Sequence, residues 1–170
     1  DRMAQASNFP LEVLYLRNSD IPQYVRDGVA DVAILGENTE IEKRTGNRRV
    51  LPLGFSRCRV SMAVPRDVPY EGLSYFQGKK IATSYPNTLS DFLKREGIQA
   101  EIHEISGSVE IAPGIGLAHA IFDIVSSGST LFKNGLKEVY KVLDSQAVLL
   151  ANPDLSPEKQ ALLDQLVFRI

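Results

Sequence analysis

Cysteine and histidine are scarce in this chain, which has one cysteine, Cys58, and two histidines among 170 residues. A single thiol excludes an internal disulfide and a cysteine-built metal site, and two histidines leave zinc without its usual ligands. No apolar run approaches the roughly 18 residues that span a bilayer; residues 13–35 come nearest and are broken by charges and Pro22. The net charge is −2, with acids and bases interspersed, so there is no broad basic face and nucleic acid is not a favoured partner. No G-x-x-x-x-G-K-S/T loop occurs, so any nucleotide is held in another way. These absences fit a soluble globular protein of a reducing cytoplasm, with no membrane partner, long enough to bury a core as one domain or two small ones.

What is present has a βαβ rhythm. Residues 11–17 read as a strand, 21–26 as a helix and 30–35 as a strand, followed by a longer strand at 59–64. The Pro/Asp/Gly-rich residues 65–72 read as a crossover between lobes. A second set follows: strand 80–83, helix 88–95 closed by Gly97, and strand 100–105. Residues 139–150 return as a strand, and Ser156-Pro157 opens a helix expected to run to Ile170. Gly28-Val-Ala-Asp-Val-Ala is echoed by Gly116-Leu-Ala-His-Ala-Ile, which favours two related α/β lobes with mostly parallel sheets flanked by helices.

The chemistry concentrates at residues 110–131. Ala120-Ile-Phe-Asp-Ile-Val125 is apolar enough to be an interior strand, and it delivers one acid, Asp123, into Ser126-Ser-Gly-Ser-Thr130. Small residues there let hydroxyls and backbone N–H groups converge on a phosphate, and a short helix opening after them turns its amides to the same anion. Upstream, Ser106-Gly-Ser108 and Gly114-Ile-Gly116 bracket another short turn, so a second backbone-lined pocket is expected at the other end of the segment. Two anion loops suggest a ligand with two phosphate groups, and an acid between them suits a sugar diol or a bound Mg²⁺. Phosphoribosyl pyrophosphate has that arrangement.

These residues resemble the ATP phosphoribosyltransferase family, which opens histidine biosynthesis. Glu110, Gly116, Ala118, Ile121, Asp123, Ile124, Ser127, Gly128, Thr130 and Leu131 all fall on its spaced motif. Leu16-Arg17-Asn-Ser-Asp-Ile-Pro22, the Gly28–Asn38 stretch, Gly54-Phe-Ser-Arg-Cys-Arg59 and Gly78-Lys-Lys-Ile-Ala-Thr-Ser-Tyr-Pro86 look like the same catalytic core. The resemblance implies two lobes of periplasmic-binding-protein-like (type II) topology with the active site in the cleft. It implies transfer of a phosphoribosyl group to N1 of the ATP adenine, with pyrophosphate leaving and Mg²⁺ as cofactor. It further implies a homo-oligomer, with histidine feedback through a C-terminal domain or a regulatory partner. Where the family reads Gly-Leu-Ala-Asp-Ala, this chain carries His119 in place of the Asp.

Residue by residue, the resemblance assigns Glu110, Gly116, Asp123, Ser126, Ser127, Gly128, Ser129 and Thr130 to phosphoribosyl pyrophosphate, with Asp123 also near the metal. It gives catalytic roles to Arg17 and Asp123, with Arg17 on the pyrophosphate and also placed at the ATP. The residues themselves leave Arg17 open between that role, at the lip of a sheet, and a surface pair with Asp20. Tyr85 stands between stacking on a purine and packing beside Pro86, and Glu37 is a candidate for the ATP side. Arg57 and Arg59 read mostly as surface charge, with one of them left open as reaching the cleft. Lobe one is expected at residues 1–66 and 143–170 and lobe two at 67–142. The start at Asp1-Arg2-Met3 reads as a piece of a longer polypeptide. A bilobal small-molecule sensor or solute-binding module without catalysis is the competing expectation, because fold does not fix function.

Overall fold

The computed structural model describes residues 3–170; Asp1 and Arg2, on which the reading of the chain's start rested, lie outside the described residues. In chain order the elements are β1 (Met3–Gln5), β2 (Glu12–Leu14), α1 (Ile21–Arg26), β3 (Val32–Gly36), α2 (Glu37–Lys43), β4 (Arg48–Pro52), β5 (Cys58–Pro65), β6 (Lys80–Thr83), α3 (Pro86–Glu96), β7 (Glu101–Glu104), β8 (Ala120–Val125), α4 (Ser129–Lys133), β9 (Leu136–Ser145), β10 (Ala147–Ala151) and α5 (Pro157–Phe168). Two 3-10 turns, Leu73–Phe76 and Val109–Ile111, lie between them. The chain forms two units, one of the residues up to Phe55 with Gln146–Ile170, the other of Ser56–Ser145.

The first unit is built on a three-stranded sheet, β3-β10-β4, and β1 and β2 pair as a separate ribbon. β10 is Ala-Val-Leu-Leu-Ala, buried throughout, as a central strand covered on both faces must be. Leu35, Val148 and Leu150 cluster with Ile21 of α1, while Leu149 and Ala151 pack with Leu163 of α5. α5 starts where expected: Ser156 accepts the Lys159 N–H on its side chain, and Pro157 opens the first turn. It ends at Phe168, short of the expected Ile170.

The second unit holds a five-stranded sheet ordered β7-β6-β8-β5-β9. β7, β6 and β8 are parallel, but β5 joins β8 antiparallel and β9 joins β5 antiparallel. Val60, Met62 and Phe122 face a core closed by Leu89 and Phe92 of α3. Ala63, Ile121 and Val125 face the other way, toward Val109, Ala112 and Leu131. This is the alternation a sheet covered on both faces requires. Gly97 ends α3 in the left-handed region at φ +67°, the conformation a glycine adopts without strain.

Four expectations are corrected. The sheets are not mostly parallel: β3-β10-β4 is antiparallel throughout, and the five-stranded sheet is mixed, because β5 and β9 join it antiparallel. The chain passes between units at Phe55/Ser56 and Ser145/Gln146, not at 66/67 and 142/143, since β5 and β9 pair inside the second unit. Residues 65–72 are thus a turn within that unit, and the run at 139–150 is two strands divided at Gln146. Among the described residues, no helix is long and apolar enough to cross a membrane.

Candidate functional site

Parallel strands β7, β6 and β8 bring their carboxyl ends to one edge of the second unit, the usual position for ligands on such sheets. Three connections leave that edge: residues 105–108 after β7, Ser84 and Tyr85 after β6, and residues 126–128 after β8. Thr83, fully buried, ties two of them together. Its hydroxyl donates to the Phe122 carbonyl at 2.7 Å and accepts the Tyr85 N–H at 2.8 Å. The turn carrying Tyr85 is therefore pinned to β8 one residue before Asp123.

Asp123 is largely buried on β8, and its Oδ1 accepts the N–H of Ile124 at 2.8 Å. Burial pushes its carboxyl up to about 6; the Ile124 hydrogen bond opposes this, and the negative charge of Glu110 adds to it. Glu110 stands in the 3-10 turn Val109–Ile111, whose Val109 is anchored in the core beside Ile121. Two acids 13 positions apart in sequence are thus brought into one electrostatic neighbourhood.

Past Val125 the chain is exposed at Ser126, Ser127, Ser129 and Thr130. Gly128 takes φ +82° and opens α4, and a Cβ built there meets nothing within 4 Å, so this backbone borders open space. The hydroxyls of Ser127 and Ser129 lie 3.1 Å apart. α4 is held from behind by Arg66, which donates to the Phe132 carbonyl at 3.0 Å and stacks on its ring, 4.2 Å from the centroid.

The sequence-predicted residues divide. Asp123, Glu110, Ser126, Ser127, Gly128, Ser129 and Thr130 come together on the carboxyl edge. Gly116 does not: the segment after β7 starts at that edge and must return to the start of β8, and Gly116 lies in the turn near its far end, at φ +78°. Ser106 and Ser108 follow β7 and so share the edge with the first loop, which separates them from Gly116. Tyr85 packs against the core formed around Phe76 and Phe92. Arg17 and Glu37 belong to the first unit. Arg17 does not end a strand: it follows β2 by three residues, 90% exposed, its Nε 3.9 Å from Asp20. Glu37 is engaged by Arg49 at 2.8 Å.

His119 sits at the opposite end of β8 from the loop. Its Nδ1 accepts the Lys80 N–H at 3.0 Å, and its own N–H donates to the Lys80 carbonyl at 2.8 Å. The side chain joins the start of β8 to β6. Arg59 is the residue that sequence reasoning undervalued: its guanidinium is bidentate to Glu138 and reaches the Ser126 carbonyl. Glu138 is 79 positions away, so no local pattern announces the pair.

Among the described residues, no group of three or more His, Cys, Asp or Glu side chains converges as a metal site. The Asp123–Glu110 pair is a hard-oxygen set that suits Mg²⁺ carried by a phosphorylated ligand rather than caged by protein alone.

The family model described as HisG: ATP phosphoribosyltransferase matches residues 17–170. An ATP phosphoribosyltransferase of Phocaeicola vulgatus is 58% identical over 99% of this chain, and one of Cytophaga hutchinsonii is 61% identical over 97%. The chain spans 59% and 58% of the lengths of these two relatives. A solved ATP phosphoribosyl transferase (HisG:HisZ) complex from Thermotoga maritima superimposes with a TM-score of 0.81 at 25% identity, covering 96% of this chain and 83% of that one. The substrate-binding protein of an amino acid ABC transporter shares the fold, with a TM-score of 0.64 at 13% identity, covering 95% and 82%.

Proposed function

Because the chain belongs to the ATP phosphoribosyltransferase family, we propose that it condenses ATP, through N1 of the adenine, with phosphoribosyl pyrophosphate to give phosphoribosyl-ATP and pyrophosphate, the first step of histidine biosynthesis. The observation that carries this is one edge of one sheet, where the isolated acid Asp123, beside Glu110, opens directly into a loop of Ser, Gly and Thr residues.

In this reading Ser127, Gly128, Ser129 and Thr130 hold the 5′-phosphate through hydroxyls and backbone N–H groups. Asp123 and Glu110 accept from the ribose hydroxyls, and the ionised form of Asp123 is the accepting one. Arg17 takes the leaving pyrophosphate with its exposed guanidinium. Glu37 reaches a nucleotide only by leaving Arg49, and Tyr85 offers only the part of its ring that the core leaves uncovered. Adenine N1 brings its own lone pair, so the protein supplies alignment and charge neutralisation rather than a general base. Mg²⁺, when bound with the substrate near Asp123, neutralises charge on the departing diphosphate. We further propose that the enzyme is cytoplasmic and homo-oligomeric, with histidine acting through a regulatory domain or a partner.

A thermal-shift series tests this. Phosphoribosyl pyrophosphate with Mg²⁺ raises the melting temperature and amino acids do not. The reverse pattern supports a solute sensor in place of an enzyme.

A further inference from the structure

We propose that Arg59 and Glu138 are positioning residues, an ionic strut that fixes where the loop at 126–130 leaves the sheet relative to Asp123. Arg59 lies near the start of β5, directly across the ladder from Val125, the last residue of β8. Its guanidinium uses all three nitrogens. Nε donates to Glu138 Oε2 at 2.7 Å, Nη2 to Oε1 at 2.8 Å, and Nη1 reaches the Ser126 carbonyl, the first of the loop, at 3.5 Å. Ser61 stands directly across from Asp123, and its hydroxyl donates to Glu138 Oε2 at 2.5 Å. Both carboxylate oxygens of Glu138 are thereby committed.

Residues directly opposed in a ladder share a face, so Arg59, Ser61, Val125 and Asp123 lie on one side of the sheet, and the strut joins β9, β5 and the end of β8 on the side that carries the acid. The side chains of Arg59 and Glu138 are only 31% and 25% exposed, which sets the pair apart from exposed ion pairs that salt and water weaken. Arginine is required by geometry. A lysine ammonium can meet Glu138, but it has no planar fork that grips both oxygens while a third nitrogen reaches a backbone carbonyl. A phosphate bound by backbone N–H groups depends on the directions of those groups, so a loop that must be ordered at each binding event binds more weakly.

The proposal rests on reading residues 126–130 as the phosphate loop, so its test has one arm that needs no ligand. Backbone ¹⁵N relaxation on the full chain compares wild type, Arg59→Lys, Glu138→Gln and the double variant. Order parameters at Ser127, Gly128 and Ser129 are expected to fall from about 0.85 toward about 0.6 in each variant, with α3 and β6 unchanged. In calorimetry the Kd for phosphoribosyl pyrophosphate with Mg²⁺ is expected to rise about fivefold to tenfold in each single variant, and no further in the double, as for two residues acting through one strut. Wild-type order parameters in both single variants overturn the strut, and so does a double variant whose loss is the product of the single losses. Failure of the wild-type chain to bind phosphoribosyl pyrophosphate refutes the proposed function instead, and the relaxation arm still decides the strut.

Discussion

Glu110 bears on Asp123 across the carboxyl edge of the sheet, adding its negative charge to a carboxyl that burial has already pushed up to about 6. The acid best placed to hold a ribose is thus also one that the fold stabilises in its neutral form. Function and stability pull on this residue in opposite directions, and the two pulls are separable by experiment.

Replacing Asp123 by Asn should strengthen the fold and cripple turnover. The unfolded chain releases this proton near 3.8 and the folded chain near 6. Between those values the folded state holds the extra proton, so the stability this group contributes is complete below about pH 4 and is lost as pH rises through 6. At pH 8 the Asp123→Asn variant should gain on the order of 2 kcal/mol in urea unfolding. Its kcat/KM should drop by a factor corresponding to roughly 2–4 kcal/mol. Lower stability together with wild-type turnover contradicts both assignments.

Binding should follow the same titration. If ionised Asp123 accepts from the ribose, affinity for phosphoribosyl pyrophosphate rises with a midpoint at about pH 6 and levels off roughly one pH unit above it. Glu110→Gln removes a charge that holds the carboxyl up, so the midpoint should move to lower pH. Calorimetric titrations across that range check this, with Asp123→Asn as the control that lacks the transition.

Gly128 separates fold from ligand. A Cβ there meets no neighbour, yet φ is +82°, so Gly128→Ala should cost about 1–2 kcal/mol through backbone strain alone. Phosphate approaching the backbone meets the new methyl, so the loss in phosphoribosyl pyrophosphate affinity should exceed the loss in stability. Thr130→Val should weaken binding with almost no change in stability, because its hydroxyl is exposed. Equal losses in binding and stability, measured by calorimetry and chemical unfolding, return the loop to a purely structural role.

His119 should matter only to stability. Removing the acceptor of the Lys80 N–H in His119→Ala should cost about 0.5–1.5 kcal/mol. Because the residue joins the starts of β8 and β6, the Kd for phosphoribosyl pyrophosphate should stay unchanged, and His119→Asp should restore the stability. A tenfold change in Kd would place His119 at the ligand.

Local patterns were legible and pairings between distant residues were not. Ala120–Val125, Lys80–Thr83 and Ile21–Arg26 have the bounds expected of them, because apolar runs flanked by Gly, Pro and Ser carry their own punctuation. The loop at 126–130 was legible for the same reason. The antiparallel β5 and β9 were not, since direction in a sheet is set by what lies between strands rather than within them. The Pro/Asp/Gly composition of residues 65–72 marks a turn without saying whether it joins units or strands. At 139–150 a nearly continuous β-rich run hid the passage at Gln146. Arg59 and Ser61 found Glu138, and Thr83 found Phe122, only through the fold.

The most direct measurement is a calorimetric titration of phosphoribosyl pyrophosphate with Mg²⁺ into the full chain and into its Asp123→Asn and Thr130→Val variants at pH 8. The account predicts a saturable one-site isotherm for the wild type, weakened at least tenfold in both variants while all three proteins remain folded. Wild-type affinity in both variants, or no binding by the folded wild-type chain, would contradict it.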